Sequence, residues 1–250
     1  TAISPLRILE QSIHGGLGAG NLGLVLAPAG LGKTAFLVQL GLDDAMRERQ
    51  VLHVALGQTL THAQARYDGL FDDLAHRLEL PEPAKAHHTI AQHRIIQALA
   101  VETACDASRL QQIIQLYGQG SVREPKLILI DGYDLENDLQ SGANRLKGLK
   151  AFAKKSKVEM WLSASIAPER FAAVLQTRFV DVALLLEPRN ARVAVRILKD
   201  HGAETIPESS LELDPKTLCL KAEQTDGKGL SFPPQTFTLL SGGAPGADEL

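Results

Sequence analysis

The sequence predicts an α/β protein: a mostly parallel, twisted sheet flanked by helices, with antiparallel strands toward the C-terminus. Three observations predict it. Short apolar runs alternate with longer segments of helical period. A glycine turn, Ala27-Pro28-Ala29-Gly30-Leu31-Gly32-Lys33-Thr34, joins the first apolar run to a helical one. The strand-like runs lead into Ala27, Gly57, Asp131 and Ser163, which a parallel sheet gathers at its carboxyl edge, where such sheets bind ligands.

The elements follow in order. Thr1 to Gly20 is a lead-in whose Ile8, Leu9 and Ile13 can pack on the core, and His14 to Asn21 is rich in turn residues. Gly23 to Leu26 is the first strand, and Ala35 to Leu40 opens the helix after the glycine turn. Val51 to Leu56 is the second strand, bounded by Gly57. Thr61 to Tyr117 reads as helical. Ala65, Leu70, Leu74 and Leu78, then Ile95, Ile96, Leu99, Leu110, Ile113, Ile114 and Leu116, recur near helical spacing. Pro81 and Pro83 divide this region, and Gly118-Gln119-Gly120 closes it.

Leu127 to Ile130 is the third strand and ends at Asp131. Arg145 to Lys157 is a helix with Leu146, Leu149 and Phe152 on one face and Lys147, Lys150, Lys154 and Lys155 on its wet side. Cys105 reads as a small buried residue in a helical stretch, and Trp161 and Tyr133 as core or site wall. Val158 to Ser163 is a strand, Glu169 to Gln176 a helix and Val182 to Leu186 a strand. Arg192 to Lys199 alternates charged and apolar residues, the period of a half-exposed strand, and Leu211 to Leu220 adds another. Arg189, Arg192 and Arg196 read as interface, nucleotide-mouth or edge-strand charges. Gly, Pro and Ser accumulate from Gln224. The expectation is one domain over 1–223, with a helical insertion at about 61–120, and a loose tail over 224–250.

A chain of 250 residues with 44% apolar residues can bury one sizeable core. Net charge of −3 argues against a general affinity for nucleic acid. The two cysteines, Cys105 and Cys219, have no metal-ligand spacing, so a reducing cytoplasm is the default. No apolar run approaches membrane-spanning length and no signal peptide is read. His87, His88 and His93 lack the spacing of a helical zinc pair and read as surface.

The glycine turn carries the chemistry. Gly30 and Gly32 let main-chain N–H groups curl toward phosphate oxygens, and the following helix N-terminus adds partial positive charge. Lys33 can reach the β- and γ-phosphates, and Thr34 can offer its hydroxyl to Mg²⁺. The phosphate cradle spans Ala27, Pro28, Ala29, Gly30, Leu31, Gly32, Lys33, Thr34 and Ala35. Asp131, at the end of an apolar strand, can hold the metal opposite Thr34.

His14 to Gly20, the P-loop, Val51 to Thr59, Leu127 to Asp131, Val158 to Ser165 and Val195 to Gly202 occur in the order found in RecA-like ATPases. Over residues 10–203 the chain resembles the core of the replicative hexameric helicases and their circadian-clock and recombinase cousins. The resemblance implies a RecA-like P-loop fold, ATP with Mg²⁺, and rings or filaments with nucleotide at subunit interfaces. Four departures stand out. The P-loop begins with Ala27 rather than glycine. Where the family places a glutamate that polarises water, this chain has Gly57 and Gln58, and Gln58 cannot accept a proton at neutral pH. Where helicases place a phosphate-sensing glutamine, it has Ser163, and in place of Lys-x-Arg it has Lys199-Asp200-His201. The resemblance gives Lys199 a role at a neighbour's phosphates, and neutral His201 is a poor arginine finger.

Phosphate binding is therefore expected, with Lys33, Asp131 and Lys199 as catalytic candidates and Gln58 and Ser163 as weaker ones. Asp134 and Glu136 are nearby acids that can serve as a base or simply be solvated. The expected function is an ATP-binding protein in which ATP-Mg biases conformation or oligomeric assembly, with slow or absent hydrolysis. The rivals are a DNA-stimulated motor ATPase and a scaffold with a vestigial P-loop.

Overall fold

The computed structural model describes residues 5–118, 124–189, 192–203, 206, 211–214 and 216–222. Its strands are β1 (Leu22–Leu26), β2 (Val51–Leu56), β3 (Arg94–Leu99), β4 (Leu127–Asp131), β5 (Glu159–Ala164), β6 (Val182–Arg189), β7 (Arg192–Asp200), β8 (Leu211–Leu213) and β9 (Leu220–Ala222). The helices are α1 (Pro5–Ser12), α2 (Lys33–Met46), α3 (Leu60–Arg77), α4 (Pro83–Gln92), α5 (Ala107–Gly118), α6 (Leu135–Gln140), α7 (Asn144–Ser156) and α8 (Phe171–Gln176), the last preceded by a 3-10 turn.

The strands form one nine-stranded sheet in the order β3-β2-β4-β5-β1-β6-β7-β8-β9. From β3 to β6 every pairing is parallel, and β6 to β9 are antiparallel. Strands covered on both faces read as unbroken apolar runs, which is why β1, β4 and β5 are legible in the sequence. One core lies against α1 to α4 and gathers Leu9, Phe36, Tyr67, Leu129 and Trp161. The other lies against α5 to α8 and gathers Leu24, Leu110, Ile128, Leu146 and Val174. Among the described residues no helix is long and apolar enough to cross a membrane.

Several expectations are corrected. Thr61 to Tyr117 is not wholly helical: Ile95, Ile96 and Leu99 belong to β3, which pairs with β2 along its whole length. Cys105 lies in the loop between β3 and α5, and there burial pushes its thiol pKa up to about 12. Lys150 is not on a wet face, because its ammonium bonds Gly20 O, Asn21 Oδ1 and Asp181 Oδ2 at 2.7–2.9 Å. β7 is not an edge, since β8 pairs with it; Arg192 meets Glu212 and Arg196 meets Glu187. Leu211 to Leu220 supplies two short strands rather than one. The 224–250 tail, and the Gln119-Gly120 helix stop, lie outside the described residues.

Candidate functional site

The sheet's own period places the site. Leu129 and Asp131 share one face of β4, Trp161 and Ser163 one face of β5, and both faces look toward α2. β5 lies between β4 and β1, so Ser163 stands between Asp131 and the chain leaving β1. That chain makes the glycine turn and enters α2 at Lys33. Gly32 is the N-cap residue with φ of 89° and provides no side chain to cap the helix. That backbone angle favours glycine, and a Cβ there would lie only 3.0 Å from Leu213 Cδ1. Gly30 has φ of 82° and faces open space. The N-terminal amides of α2 have no helical partner of their own, so the turn presents N–H donors and the positive end of the helix dipole.

The side chains of the turn converge. Lys33 folds back, its ammonium donating to Ala27 O at 2.8 Å and Pro28 O at 2.9 Å. Burial lowers the lysine's pKa, and the nearby charge of Asp131 opposes that shift. Thr34 Oγ1 donates to Asp131 Oδ2 at 2.8 Å, a contact between residues 97 positions apart. Gln58 Nε2 donates to the same oxygen at 2.6 Å. Ser163 Oγ donates to Asp131 Oδ1 and accepts from Gly132 N. Asp131 is only 2% exposed, and a buried carboxylate demands such donors.

The structure thus brings together Lys33, Thr34, Gln58, Asp131 and Ser163. Lys199, which the resemblance assigns to a neighbouring subunit's phosphates, lies on β7, and within its own chain its ammonium donates to Thr177 O at 2.7 Å. Burial lowers that lysine's pKa, with Asp181 opposing. His201 is bound on both ring nitrogens, by Asp200 and by Leu17 O. Burial opposes its charge, but its bonds to Leu17 O and Asp200 outweigh burial and raise its pKa. Asp134 caps α6 by accepting from Asn137 N, and Glu136 sits in the first turn of that helix.

Sequence reasoning missed two neighbours of the site. His53 lies on the α2-facing side of β2, fully buried, with Nδ1 2.9 Å from Tyr67 Oη. The signal was present: it is the one polar residue in an apolar strand. The β8–β9 hairpin is the second. Gln39 Nε2 donates to Leu218 O at 3.0 Å and Gln39 Oε1 accepts from Leu220 N at 2.6 Å, seating the hairpin beside Gly32. A contact between residues 39 and 220 leaves no local trace in the sequence.

Oxygen donors from Asp131 and Thr34 suit a hard cation such as Mg²⁺, which keeps several waters and takes few protein ligands. Among the described residues there is no group of three or more His, Cys, Asp or Glu side chains arranged to enclose a metal. No family model matches this chain, and no curated protein matches it.

Proposed function

We propose that the chain binds a nucleoside triphosphate with Mg²⁺ at Ala27–Ala35 and uses it to bias its conformation or assembly, with slow or absent hydrolysis. ATP is the nucleotide that the RecA-like resemblance implies. The observation that carries the proposal is the hydrogen bond from Thr34 to Asp131 beside an uncapped helix N-terminus. It pairs the two oxygen groups a phosphate-bound cation needs, at the point where donors for phosphate are concentrated.

The roles follow from the groups present. Amides of Gly30 to Thr34 would grip phosphate oxygens. Lys33 would exchange its two carbonyl partners for phosphate, an exchange of neutral acceptors for charged ones. Thr34 and Asp131 would hold Mg²⁺, which when bound neutralises phosphate charge. The weak hydrolysis follows from what surrounds them. Gln58 is no base and already donates to Asp131; the Ser163 hydroxyl is engaged by Asp131 and Gly132. Asp134 is occupied as a helix cap. Neither Gln58 nor Ser163 offers a free base to take a proton from water.

Calorimetric titration with ADP and a slow ATP analogue tests this. Lys33→Ala should weaken binding by at least about tenfold, because hydrogen bonds to charged groups contribute about 1.5–3 kcal/mol. Unchanged affinity in the variant would defeat the assignment.

A further inference from the structure

Asp131 is held from three sides, two of its holders standing in regular elements and the third in a link between elements. Ser163 is fully buried in β5 and Thr34 lies in the first turn of α2. Gln58 instead is the middle residue of the three-residue link between β2 and α3. Before it, Gly57 N is tied to Leu99 O at 2.8 Å and closes the end of β2. After it, Thr59 caps α3 by accepting from His62 N with its side chain and from Ala63 N with its carbonyl. The Gln58 side chain is only half-buried, and its amide donates at 2.6 Å to Oδ2, the same oxygen that meets Thr34.

An amide N–H and a cation compete for a carboxylate oxygen, because both approach its lone pairs with positive charge. A glutamate at this position would repel Asp131, whereas the neutral amide satisfies it. We propose that Gln58 is a positioning residue that latches Asp131, so that a Mg²⁺-nucleotide complex must displace its amide before the carboxylate can serve the cation. The inference rests on the nucleotide-binding reading above and adds regulation to that site. Displacement frees the middle residue of the Gly57-Gln58-Thr59 link between β2 and α3, so cation occupancy is passed to the N-terminus of α3. That end carries Leu60 at 44% exposure, and Val101 at 71% packs beside Gly57. The latch thereby supplies the step by which a bound cation changes the protein's surface.

The test is calorimetric titration with ADP, once with MgCl₂ and once with EDTA, on the wild-type chain and on Gln58→Ala. The latch opposes only the metal-bound form. Gln58→Ala should therefore bind Mg²⁺-ADP about tenfold more tightly, the effect of losing a competing hydrogen bond to a charged group. Its affinity for ADP in EDTA should change less than twofold. A general structural defect would move both affinities together, and that result overturns the latch. Equal magnesium dependence in the two proteins overturns it as well and leaves nucleotide binding standing. Absence of ADP binding by the wild-type chain under both conditions overturns the binding reading and the latch with it. Hydrogen exchange of the wild-type chain adds a second readout: amides of His62 and Ala63, which Thr59 caps, should exchange faster with Mg²⁺-ADP than with ADP in EDTA. Equal protection in the two states counts against the latch.

Discussion

His53 is the residue whose environment departs furthest from what its neighbours in β2 prepare. Its Nε2 is buried with no hydrogen-bond partner among the described residues, and Arg94 lies over the ring of its partner Tyr67 at 4.4 Å. Burial pushes its pKa down to about 4, with Asp131 opposing and Arg94 adding to the fall. The folded protein thus holds His53 neutral where the unfolded chain would protonate it. Its contribution to stability is complete above the unfolded value of about 6.5 and is lost as pH falls through about 4. Urea unfolding of His53→Asn should therefore show a shallower acid decline between these limits, by up to about 1.4 kcal/mol per pH unit. Identical slopes for variant and wild type would refute this account of His53. At this scale the site was well legible. Lys33, Thr34 and Asp131 could be singled out because a glycine turn after one apolar strand and an acid ending another mark them, and the structure brings them together. Gln58 and Ser163 were legible as positions, but not their shared grip on Asp131, which depends on strand order.

Among the elements, α7 has the least obvious beginning. Its N-cap residue is Ala143, which has φ of 56° and no side chain able to cap. The cap comes from α6 instead. Asp138, 1% exposed, accepts from Arg145 N at 3.0 Å, Leu146 N at 2.8 Å and Tyr133 Oη at 2.6 Å. Burial, reinforced by the hydrogen bond to Asp138, raises the pKa of Tyr133. Asp138→Ala strands three donors at once, each costing about 1–3 kcal/mol when buried, so urea unfolding should show a loss of about 3 kcal/mol or more. A loss below about 1 kcal/mol would mean that water replaces the carboxylate. The six-residue α6 escaped the sequence pattern because it is too short to show a period, and its cap, Asp134, reads equally as a loop acid. β3 escaped for a different reason. Ile95, Ile96 and Leu99 fit helical spacing, and an edge strand half-buried throughout shows no alternation to contradict it.

For the molecule as a whole, strand order does what no single motif can. Placing β5 between β1 and β4 sets Ser163, Asp131 and the glycine turn at one end of the sheet, and parallel pairing out to β3 brings Gln58 to the same end. The inner parallel strands were readable because burial on both faces leaves them mostly apolar, whereas the outer one, β3, was not. The closing of the sheet's other side by the β8–β9 hairpin was not, since it is fastened by Gln39 over long sequence separation. The chain's central property, on this account, is a preformed phosphate cradle at the carboxyl edge of that sheet. Amide NMR of the isotopically labelled protein, titrated with Mg²⁺-ADP, tests it most directly. Saturable shifts of the Gly30, Gly32, Lys33 and Thr34 amides, absent in Lys33→Ala, are the predicted result. Resonances of those four amides that stay in place at millimolar nucleotide would contradict it.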